Sequence, residues 1–217
     1  MTHDKPQPTD YASPPCYAQE LDPLYRDLGS RGAATWKDVS RWRQAERERL
    51  LALRADCDDN QRADELRSVL GQLDELLQTA DVAVLGVYWP IQQELDLRTW
   101  MRKQATQGLT IALPVIVAEG EPLRYSRWQP GAPMRRGHWG IAEPAQDDWV
   151  EPQVVLAPLV GVDERNFRLG NGGGYFDRSL AAWSPRPRVI GVGFRSARIA
   201  TIYPQAHDIP MDRVITA

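Results

Sequence analysis

The sequence predicts an α/β fold, namely a three-layer α/β/α sandwich with a largely parallel central sheet, plus a small hairpin-bearing excursion. Two observations lead to this prediction. After residue 79, short apolar runs alternate with amphipathic segments, a pattern typical of strands and the helices that cover them. The apolar runs are nearly continuous, as expected for strands that are covered on both faces. With 217 residues, the chain is long enough to bury such a core.

Two helices are predicted before the alternating region. The first begins at a cap on Asp38 or Ser40 and runs to Arg54. The second extends from about Asn60 to Gln78, because its apolar residues recur every three or four positions. These helices supply amphipathic surfaces that can cover a sheet.

The alternating region then predicts strands and helices in turn. Gly108 is expected to end the first of these helices, and the recurring Pro and Gly of residues 120–150 predict the hairpin-bearing excursion. The predicted strands are Val82–Trp89, Thr110–Val117, Val154–Val160, Arg188–Phe194 and a short edge strand Arg213–Thr216, and the predicted helices are Leu95–Gln107 and Tyr175–Trp183.

Composition sets the domain organisation and excludes several classes of function. Residues 1–35 are rich in Pro, Asp, Ser and Gly, so we expect a flexible tail before a single domain over residues 36–217. The net charge of −3 gives no reason to expect nucleic-acid or membrane partners. Apolar runs fall far short of the roughly 20 residues of a membrane span, and no secretory signal is present. We expect a soluble, cytoplasmic protein that is a monomer or a weak dimer.

The segment RLGNGGGYFDR at residues 168–178 carries the clearest chemical signal. Its glycines lie between a predicted strand and a predicted helix, where backbone N–H groups can converge on an anion. Arg168 and Arg178 bracket the loop with positive charge, and Asp177 offers a carboxylate suited to Mg²⁺. The lysine of a Walker A loop is absent. From the glycines alone, a structural turn is as good an interpretation as a phosphate-binding loop.

The longer pattern is more specific. Together with PLVGVD at residues 158–163, the loop resembles the signature of the 5-formyltetrahydrofolate cyclo-ligase family. Weaker similarities appear in the same order, namely Tyr88 followed by Glu94, GIAEP at residues 140–144 and the ending DRVIT. The resemblance implies conversion of 5-formyltetrahydrofolate and ATP to 5,10-methenyltetrahydrofolate, ADP and phosphate. In that reaction the formyl oxygen is phosphorylated before the ring closes, with Mg²⁺ as cofactor.

The resemblance also implies the site residues. The partners are small molecules, ATP and a reduced folate. On the sequence alone, the helix with Arg43 and Arg47 would be a solvated, salt-bridged surface. The implied catalytic residues are Arg168, Tyr175 and Arg178, and Asp177 is the implied metal ligand. The residues implied for ATP are Arg43, Arg47, Arg168, Gly170, Asn171, Gly172, Gly173, Gly174, Tyr175, Asp177 and Arg178, and those for the folate are Tyr88, Glu94, Trp139 and Tyr175. From the residues alone, Tyr125 and Trp128 are further aromatic candidates to stack on a flat ligand, although such aromatics are more often part of the core.

The chain departs from the family pattern at four positions. Arg43 replaces a usual lysine and Asn166 replaces a glycine, and we expect both changes to be mild. Leu97 stands where threonine is common, and Gln153 where aspartate is common. These two departures leave open a relative that uses ATP on another metabolite. A non-catalytic nucleotide-binding module is the other alternative, and an RNA-associated protein is disfavoured by the acidic balance.

Overall fold

A seven-stranded sheet forms the centre of the structure, a computed structural model that describes residues 36–217. The predicted tail over residues 1–35 lies outside the described residues. The order of strands is β11-β10-β7-β1-β2-β3-β6, in which the first five are parallel and β3 and β6 are antiparallel to their neighbours. These strands are β1 (Val84–Gly86), β2 (Thr110–Val115), β3 (Arg124–Trp128), β6 (Trp149–Val150), β7 (Val154–Pro158), β10 (Arg188–Gly193) and β11 (Arg213–Thr216).

Two small antiparallel pairs and four helices complete the described part of the chain. The pair β4–β5 confirms the predicted hairpin-bearing excursion, and β8–β9 leads into the glycine loop. The pairs are β4 (Met134–Arg136) with β5 (Ala142–Pro144) and β8 (Gly161–Val162) with β9 (Arg168–Leu169); the helices are α1 (Trp36–Ala55), α2 (Asp59–Thr79), α3 (Arg98–Thr106) and α4 (Tyr175–Ala182).

Helices cover both faces of the sheet, so the predicted three-layer arrangement is confirmed. On one face, α2 and α3 contribute Leu73 and Met101 to a core that includes Leu156 of the central strand. On the other face, α4 contributes Leu180, which packs in a second core with Val155. Successive residues of β7 therefore point to opposite layers, which explains the continuous apolar run.

Helix α1 is placed differently from the three helices that cover the sheet. Its Leu50 packs in a third apolar cluster with Val160, Leu169 and Ile202, next to the carboxyl ends of the parallel strands. Functional groups of α/β proteins gather at this edge of the sheet. The packing of Leu50 therefore brings the arginines of α1 to the place where the glycine loop begins.

After α2 the predicted element boundaries are too wide, whereas α1 and α2 themselves are longer than predicted. The strand predicted as Val82–Trp89 is ordered as a strand only over Val84–Gly86, and α3 begins at Arg98 rather than at Leu95. Leu95 is almost fully buried although it lies outside the helix, so the apolar pattern continues through irregular chain. Gly108, with φ of 98°, follows α3 as predicted. Within residues 36–217, no helix is long and apolar enough to cross a membrane.

Candidate active site

The glycine loop connects β9 to α4 and has the backbone geometry that its sequence predicts. Gly174 caps α4 in the left-handed region, with φ of 63°, where a side chain would be strained. Gly173 lies against the ring of Trp139, and a Cβ atom at Gly173 would stand 2.6 Å from that ring. The loop therefore needs glycine both for its turn and for close contact. The N–H groups in the first turn of α4 have no partners within the helix, which favours an anion there.

A cleft of about 230 Å³, called here the arginine cleft, opens on one side of this loop. Arg178 donates from Nη2 to the carbonyl oxygen of Gly173 at 2.7 Å, and Arg47 donates from Nε to that of Gly170, also at 2.7 Å. Each guanidinium is thus fixed to the loop by one bond and keeps further N–H groups for a ligand. The cleft is lined by Trp36, Arg43, Arg47, Arg168, Gly170, Gly172, Gly173, Gly174, Asp177, Arg178, His207 and Asp208.

The arginine cleft has an excess of poorly solvated positive charge. Burial and the charges of Arg43 and Arg168 lower the pKa of Arg47 to about 10. Burial also lowers the pKa of Arg168, against the opposing effect of Asp177. The Nε atoms of Arg168 and Arg178 are buried and have no hydrogen-bond partner among the described residues. A polyanion would relieve both the repulsion and the unsatisfied donors.

Arg43 and Arg47, one helical turn apart on α1, have different surroundings. The Arg43 guanidinium forms a buried, two-bond ion pair with Asp208, at 3.1 and 2.5 Å, and donates to the carbonyls of Ile202 and Tyr203. Four of the five N–H groups that an arginine carries are therefore used within the protein. Arg43 lies at the cleft wall, but Arg47 is the residue of the pair with N–H groups to spare. A nucleotide contact by Arg43 stays a prediction.

Asp177 lies in the arginine cleft and is largely buried. Its Oδ1 accepts a bond from the amide of Ile209 at 3.2 Å, and its Oδ2 lies 3.9 Å from Nη2 of Arg168. Burial raises the pKa of Asp177, while the charge of Arg168 lowers it. In residues 36–217, no three or more His, Cys, Asp or Glu side chains are grouped to hold a metal ion. Mg²⁺ commonly takes one or two carboxylates and completes its shell with phosphates and water, and a metal role for Asp177 stays a prediction.

A second cavity of about 140 Å³, called here the aromatic pocket, lies on the other side of the loop. Tyr175 and Trp139 meet edge to face with centroids 5.5 Å apart, and the Arg178 guanidinium lies 4.6 Å from the Tyr175 ring centroid. Arg168, Gly173 and Gly174 line both cavities. The lining comprises Tyr88, Trp89, Ile91, Glu94, Pro114, Ile116, Leu123, His138, Trp139, Ile141, Ala142, Glu143, Pro158, Arg168, Asn171, Gly173, Gly174, Tyr175 and Phe176.

Two carboxylates line the aromatic pocket, namely Glu143, which is paired with Arg135, and Glu94. The Oε2 of Glu94 accepts a bond from the amide of Ile91 at 3.0 Å, whereas its Oε1 is buried without a hydrogen-bond partner among the described residues. Burial raises the pKa of Glu94, and the Ile91 amide and the charge of Arg54 oppose this. A buried carboxylate with one oxygen lacking a hydrogen-bond partner favours a ligand that donates hydrogen bonds.

Tyr88 and Trp139 contribute to the pocket in different ways. Tyr88 is buried and donates its hydroxyl proton to the carbonyl of Leu95 at 3.0 Å, so it supports the wall. Trp139 is 61 % exposed and has a φ of 54°, a rare conformation for a bulky residue. Strained backbone conformations of this kind are concentrated at functional sites of proteins. The Trp139 ring is therefore available to a ligand.

Most of the chain is similar to a known family of enzymes. The sequence model of the 5-formyltetrahydrofolate cyclo-ligase family matches residues 39–217. The chain belongs to this family. A 5-formyltetrahydrofolate cyclo-ligase of Haemophilus influenzae is 24% identical over 176 residues, which is 78% of this chain and 94% of the relative. One of Mycolicibacterium smegmatis is 29% identical over 119 residues, which is 50% of this chain and 60% of the relative.

Solved structures give the same family. The 5,10-methenyltetrahydrofolate synthetase of Aquifex aeolicus superposes with a TM-score of 0.68 at 25% identity, covering 79% of this chain and 88% of that one. The synthetase of Mycoplasma pneumoniae superposes with a TM-score of 0.66 at 18% identity, covering 80% and 98%, and supports the fold. The chain is thus an enzyme of the family that converts 5-formyltetrahydrofolate to 5,10-methenyltetrahydrofolate.

The departures from the family pattern lie outside both cavities, apart from Arg43. Leu97 is fully buried in the core of the α2–α3 face, so its side chain does not face the folate side. The side chain of Gln153 accepts bonds from the amides of Ala83 and Val84, at the amino end of β1. Asn166 has a φ of 65°, as its replacement of glycine predicts. Neither Leu97 nor Gln153 therefore indicates an altered substrate.

Sequence reasoning misplaced two aromatic residues and overlooked one acidic residue. Tyr125 and Trp128 are buried in the cores and do not line the aromatic pocket. Asp208 is absent from the predicted site residues, although it lines the arginine cleft and holds Arg43. The pair His207-Asp208 near the end of the chain was the available signal. Its importance depends on a contact with a residue 165 positions away.

Proposed function

We propose that the arginine cleft binds the triphosphate of ATP and that the aromatic pocket binds the pterin and formyl groups of 5-formyltetrahydrofolate. One observation carries this proposal. Arg168, Gly173 and Gly174 line both cavities, so a γ-phosphate and a formyl oxygen can meet there. Phosphoryl transfer needs the two reacting groups in contact and in line, with their charge neutralised.

The phosphates are held by the loop and by Arg47, Arg168 and Arg178. As in other glycine loops, the phosphate oxygens accept hydrogen bonds from backbone N–H groups. Those groups belong to Gly170 to Gly174 and to the first turn of α4. Arg168 and Arg178, whose Nε atoms lack partners, stabilise the charge that builds up during transfer. Arg43 acts by holding the segment around Asp208 in place and by adding positive charge to the cleft wall.

Asp177 is the residue proposed to hold Mg²⁺. It contributes one carboxylate, and the phosphates and water complete the coordination shell. When bound, the ion neutralises phosphate charge. Asp177 also orders the cleft through its bond to the amide of Ile209, so its role is partly structural even without an ion.

The folate is held through its flat ring and its N–H groups. Glu94 accepts hydrogen bonds from the pterin amino and ring N–H groups, which satisfies the unpartnered Oε1. Trp139 and Tyr175 contact the ring, and Tyr88 keeps the wall in shape. Tyr175 also contacts Arg178, so it connects the two halves of the site.

The chemistry proceeds in two steps that need no protein nucleophile. The formyl oxygen attacks the γ-phosphate, and ADP leaves. The second folate nitrogen then attacks the formyl carbon and gives up its proton to solvent, the C–N bond forms, and phosphate leaves with the former formyl oxygen. The main contributions of the protein are positioning and charge neutralisation. The guanidiniums of Arg47, Arg168 and Arg178 supply the latter, and Arg43 adds positive charge at the cleft wall.

The test is direct spectroscopy of the product. Methenyltetrahydrofolate absorbs in the near ultraviolet, so its formation from 5-formyltetrahydrofolate with ATP and Mg²⁺ can be followed continuously. We expect product only when all three are present, and we expect Asp177→Asn to require a higher Mg²⁺ concentration. If ATP binds but no folate is converted, a nucleotide-binding module replaces this proposal. Turnover of ATP with a different metabolite in a substrate panel would identify a relative with another substrate.

We also propose that residues 36–217 act as a single catalytic domain on small molecules, without nucleic acid or membrane, in the cytoplasm. The acidic overall charge supports the absence of nucleic acid. We expect a monomer or a weak dimer, which light scattering over a concentration series measures. A stable higher oligomer at micromolar concentration would contradict this.

A further inference from the structure

The turn that presents Glu94 has an unusual backbone. Gln92 and Gln93 are consecutive non-glycine residues in the left-handed region, with φ of 45° and 59°. Such conformations persist only where the surrounding structure enforces them, and they gather at functional sites. The turn closes on itself, because the Glu94 amide donates to the Ile91 carbonyl at 2.9 Å and the Glu94 carboxylate accepts from the Ile91 amide. The carbonyl groups of Gln92 and Gln93 accept their hydrogen bonds from donors outside the turn.

Two arginines from different helices hold these carbonyls. Arg62 of α2 donates from Nη1 to the carbonyl of Gln93 at 2.8 Å, and Arg54 of α1 donates to that of Gln92 at 3.5 Å. Arg62 also donates to the Arg54 carbonyl at 2.8 Å, so the two helices are connected. Both guanidiniums lie over the ring of Phe194, 5.9 Å from its centroid for Arg54 and 5.1 Å for Arg62.

Arg54 is the more deeply placed of the two. Its side chain is almost fully buried, and its Nη2 donates to the carbonyl of Leu159 at 2.5 Å. A buried guanidinium without a carboxylate bonded to it is costly; burial lowers the pKa of Arg54, and the charge of Glu94 opposes this. Neither arginine lines the aromatic pocket. Their influence on a ligand must therefore pass through the turn.

The charged and titratable groups that face Glu94 come from several elements. Arg54 approaches from α1 and Arg168 from β9, and both favour the carboxylate form. Asn171 of the glycine loop acts in the same direction, whereas the neutral Tyr88 is itself affected by the Glu94 charge. Arg62 contacts the turn through its bond to the Gln93 carbonyl. The two arginines thus differ, because Arg54 acts on the charge as well as the geometry of Glu94, and Arg62 acts on the geometry.

We propose that Arg54 and Arg62 are positioning residues for the folate half of the reaction, which hold the strained turn so that Glu94 stays charged and faces the aromatic pocket. This inference rests on the proposed role of Glu94 as the acceptor for the pterin. Removing Arg62 loosens the turn. Removing the charge of Arg54 makes Glu94 easier to protonate, and a protonated Glu94 is a poorer acceptor for two N–H groups.

The experiment measures KM for 5-formyltetrahydrofolate and KM for ATP between pH 5.5 and 9 in Arg54→Met, Arg54→Lys and Arg62→Gln. Arg67→Gln, an exposed arginine on the same helix as Arg62, is the matched control. We expect Arg62→Gln to raise the folate KM about tenfold at all pH values, as the loss of a charged hydrogen bond predicts. We expect Arg54→Met to move the acid limb of the folate KM profile to higher pH, and Arg54→Lys to leave it near the parent position. KM for ATP stays within about twofold throughout.

Two outcomes overturn the inference. One is a folded Arg62→Gln variant with an unchanged folate KM; the other is an equal rise in both KM values, which indicates general loosening. If Arg54→Met does not fold, the inference is decided by the folate KM of Arg62→Gln compared with that of Arg67→Gln. Calorimetric binding of 5-formyltetrahydrofolate to the same two variants, without ATP, is the second measurement. A parent enzyme that forms no methenyl product would instead refute the proposed function, so the two failures are distinguishable.

Discussion

The arginine cleft and the aromatic pocket share a wall but are built by opposite means. The cleft is formed largely by one continuous segment, the loop and first turn of α4, and its binding groups are charges and backbone N–H donors. The pocket combines residues from the end of β1, the β4–β5 excursion and α4, and it holds two carboxylates, Glu94 and Glu143, among aromatic rings. Charge neutralisation tolerates small displacements better than shape and hydrogen-bond matching do. The cleft should therefore govern rate, and the pocket should govern which substrate is accepted.

The largest expected effect is on the cleft. Arg178→Ala removes a guanidinium with an unpartnered buried Nε and should lower kcat about 10²- to 10³-fold, as the loss of one donor to a developing charge does. The rate of product formation in the near-ultraviolet absorbance assay measures the loss of kcat, and circular dichroism confirms that the variant is folded. Arg127→Ala, an exposed arginine on β3, is the control. If Arg178→Ala affected only KM for the folate, the division of labour between cleft and pocket would be wrong.

The next effect separates the pocket from the cleft. Glu94→Gln should raise the folate KM about ten- to a hundredfold, because a charged acceptor is lost, and leave KM for ATP unchanged. Since burial raises the pKa of Glu94 in the folded state, its contribution to stability is present at low pH and lost as pH rises through that pKa. Glu94→Gln should thus unfold at a higher temperature than the parent at pH 7 to 8, and the difference should shrink on acidification. Calorimetric scans over pH decide this.

A smaller effect is expected at Trp139. Trp139→Leu should raise the folate KM about tenfold through loss of ring contact. Trp139→Gly loses the same contact and also relieves the left-handed backbone, so it should be about 1 kcal/mol more stable than Trp139→Leu. Chemical unfolding of the two variants gives this difference. Equal stability would show that the backbone at residue 139 is not strained by its side chain.

The smallest effect on catalysis is expected at a position that the family pattern marks as unusual. Leu97→Thr restores the common residue but places a hydroxyl in a fully buried apolar site, which should destabilise the fold by about 2–4 kcal/mol. The folate KM should stay within about twofold. Urea unfolding and the absorbance assay provide the two measurements. A marked improvement in folate KM would place residue 97 at the pocket after all.

Much of the fold was predictable because its signals are local. The near-continuous apolar run of β7 and the leucine spacing of α2 indicate buried strands and a covering helix, and the structure has both. Boundaries were less predictable. Leu95 is as buried as a helical core residue although it lies in irregular chain, so burial alone does not mark where a helix begins.

The candidate site divides in the same way. The glycine loop at residues 168–178 was predictable without tertiary information, because its glycines and flanking charges are contiguous in the chain, and its phosphate-binding role stays a proposal. Glu94 and Trp139 are about 45 positions apart, and only the packing of the excursion against the glycine loop brings them into one pocket. Tyr125 and Trp128 look equally suitable in sequence and are buried in the cores.

By itself the sequence determined the layered α/β architecture, the place of the glycine loop between a strand and a helix, and the family resemblance, because these depend on periodicity and on contiguous residues. Only the tertiary structure decided which groups each charged side chain contacts. Arg43 and Arg47 are equivalent on one helix face, yet Arg43 is committed to Asp208 and Arg47 to the loop. The physical reason is that an ion pair or a buried acceptor forms between groups that are distant in the chain, and their meeting is set by the packing of the whole domain.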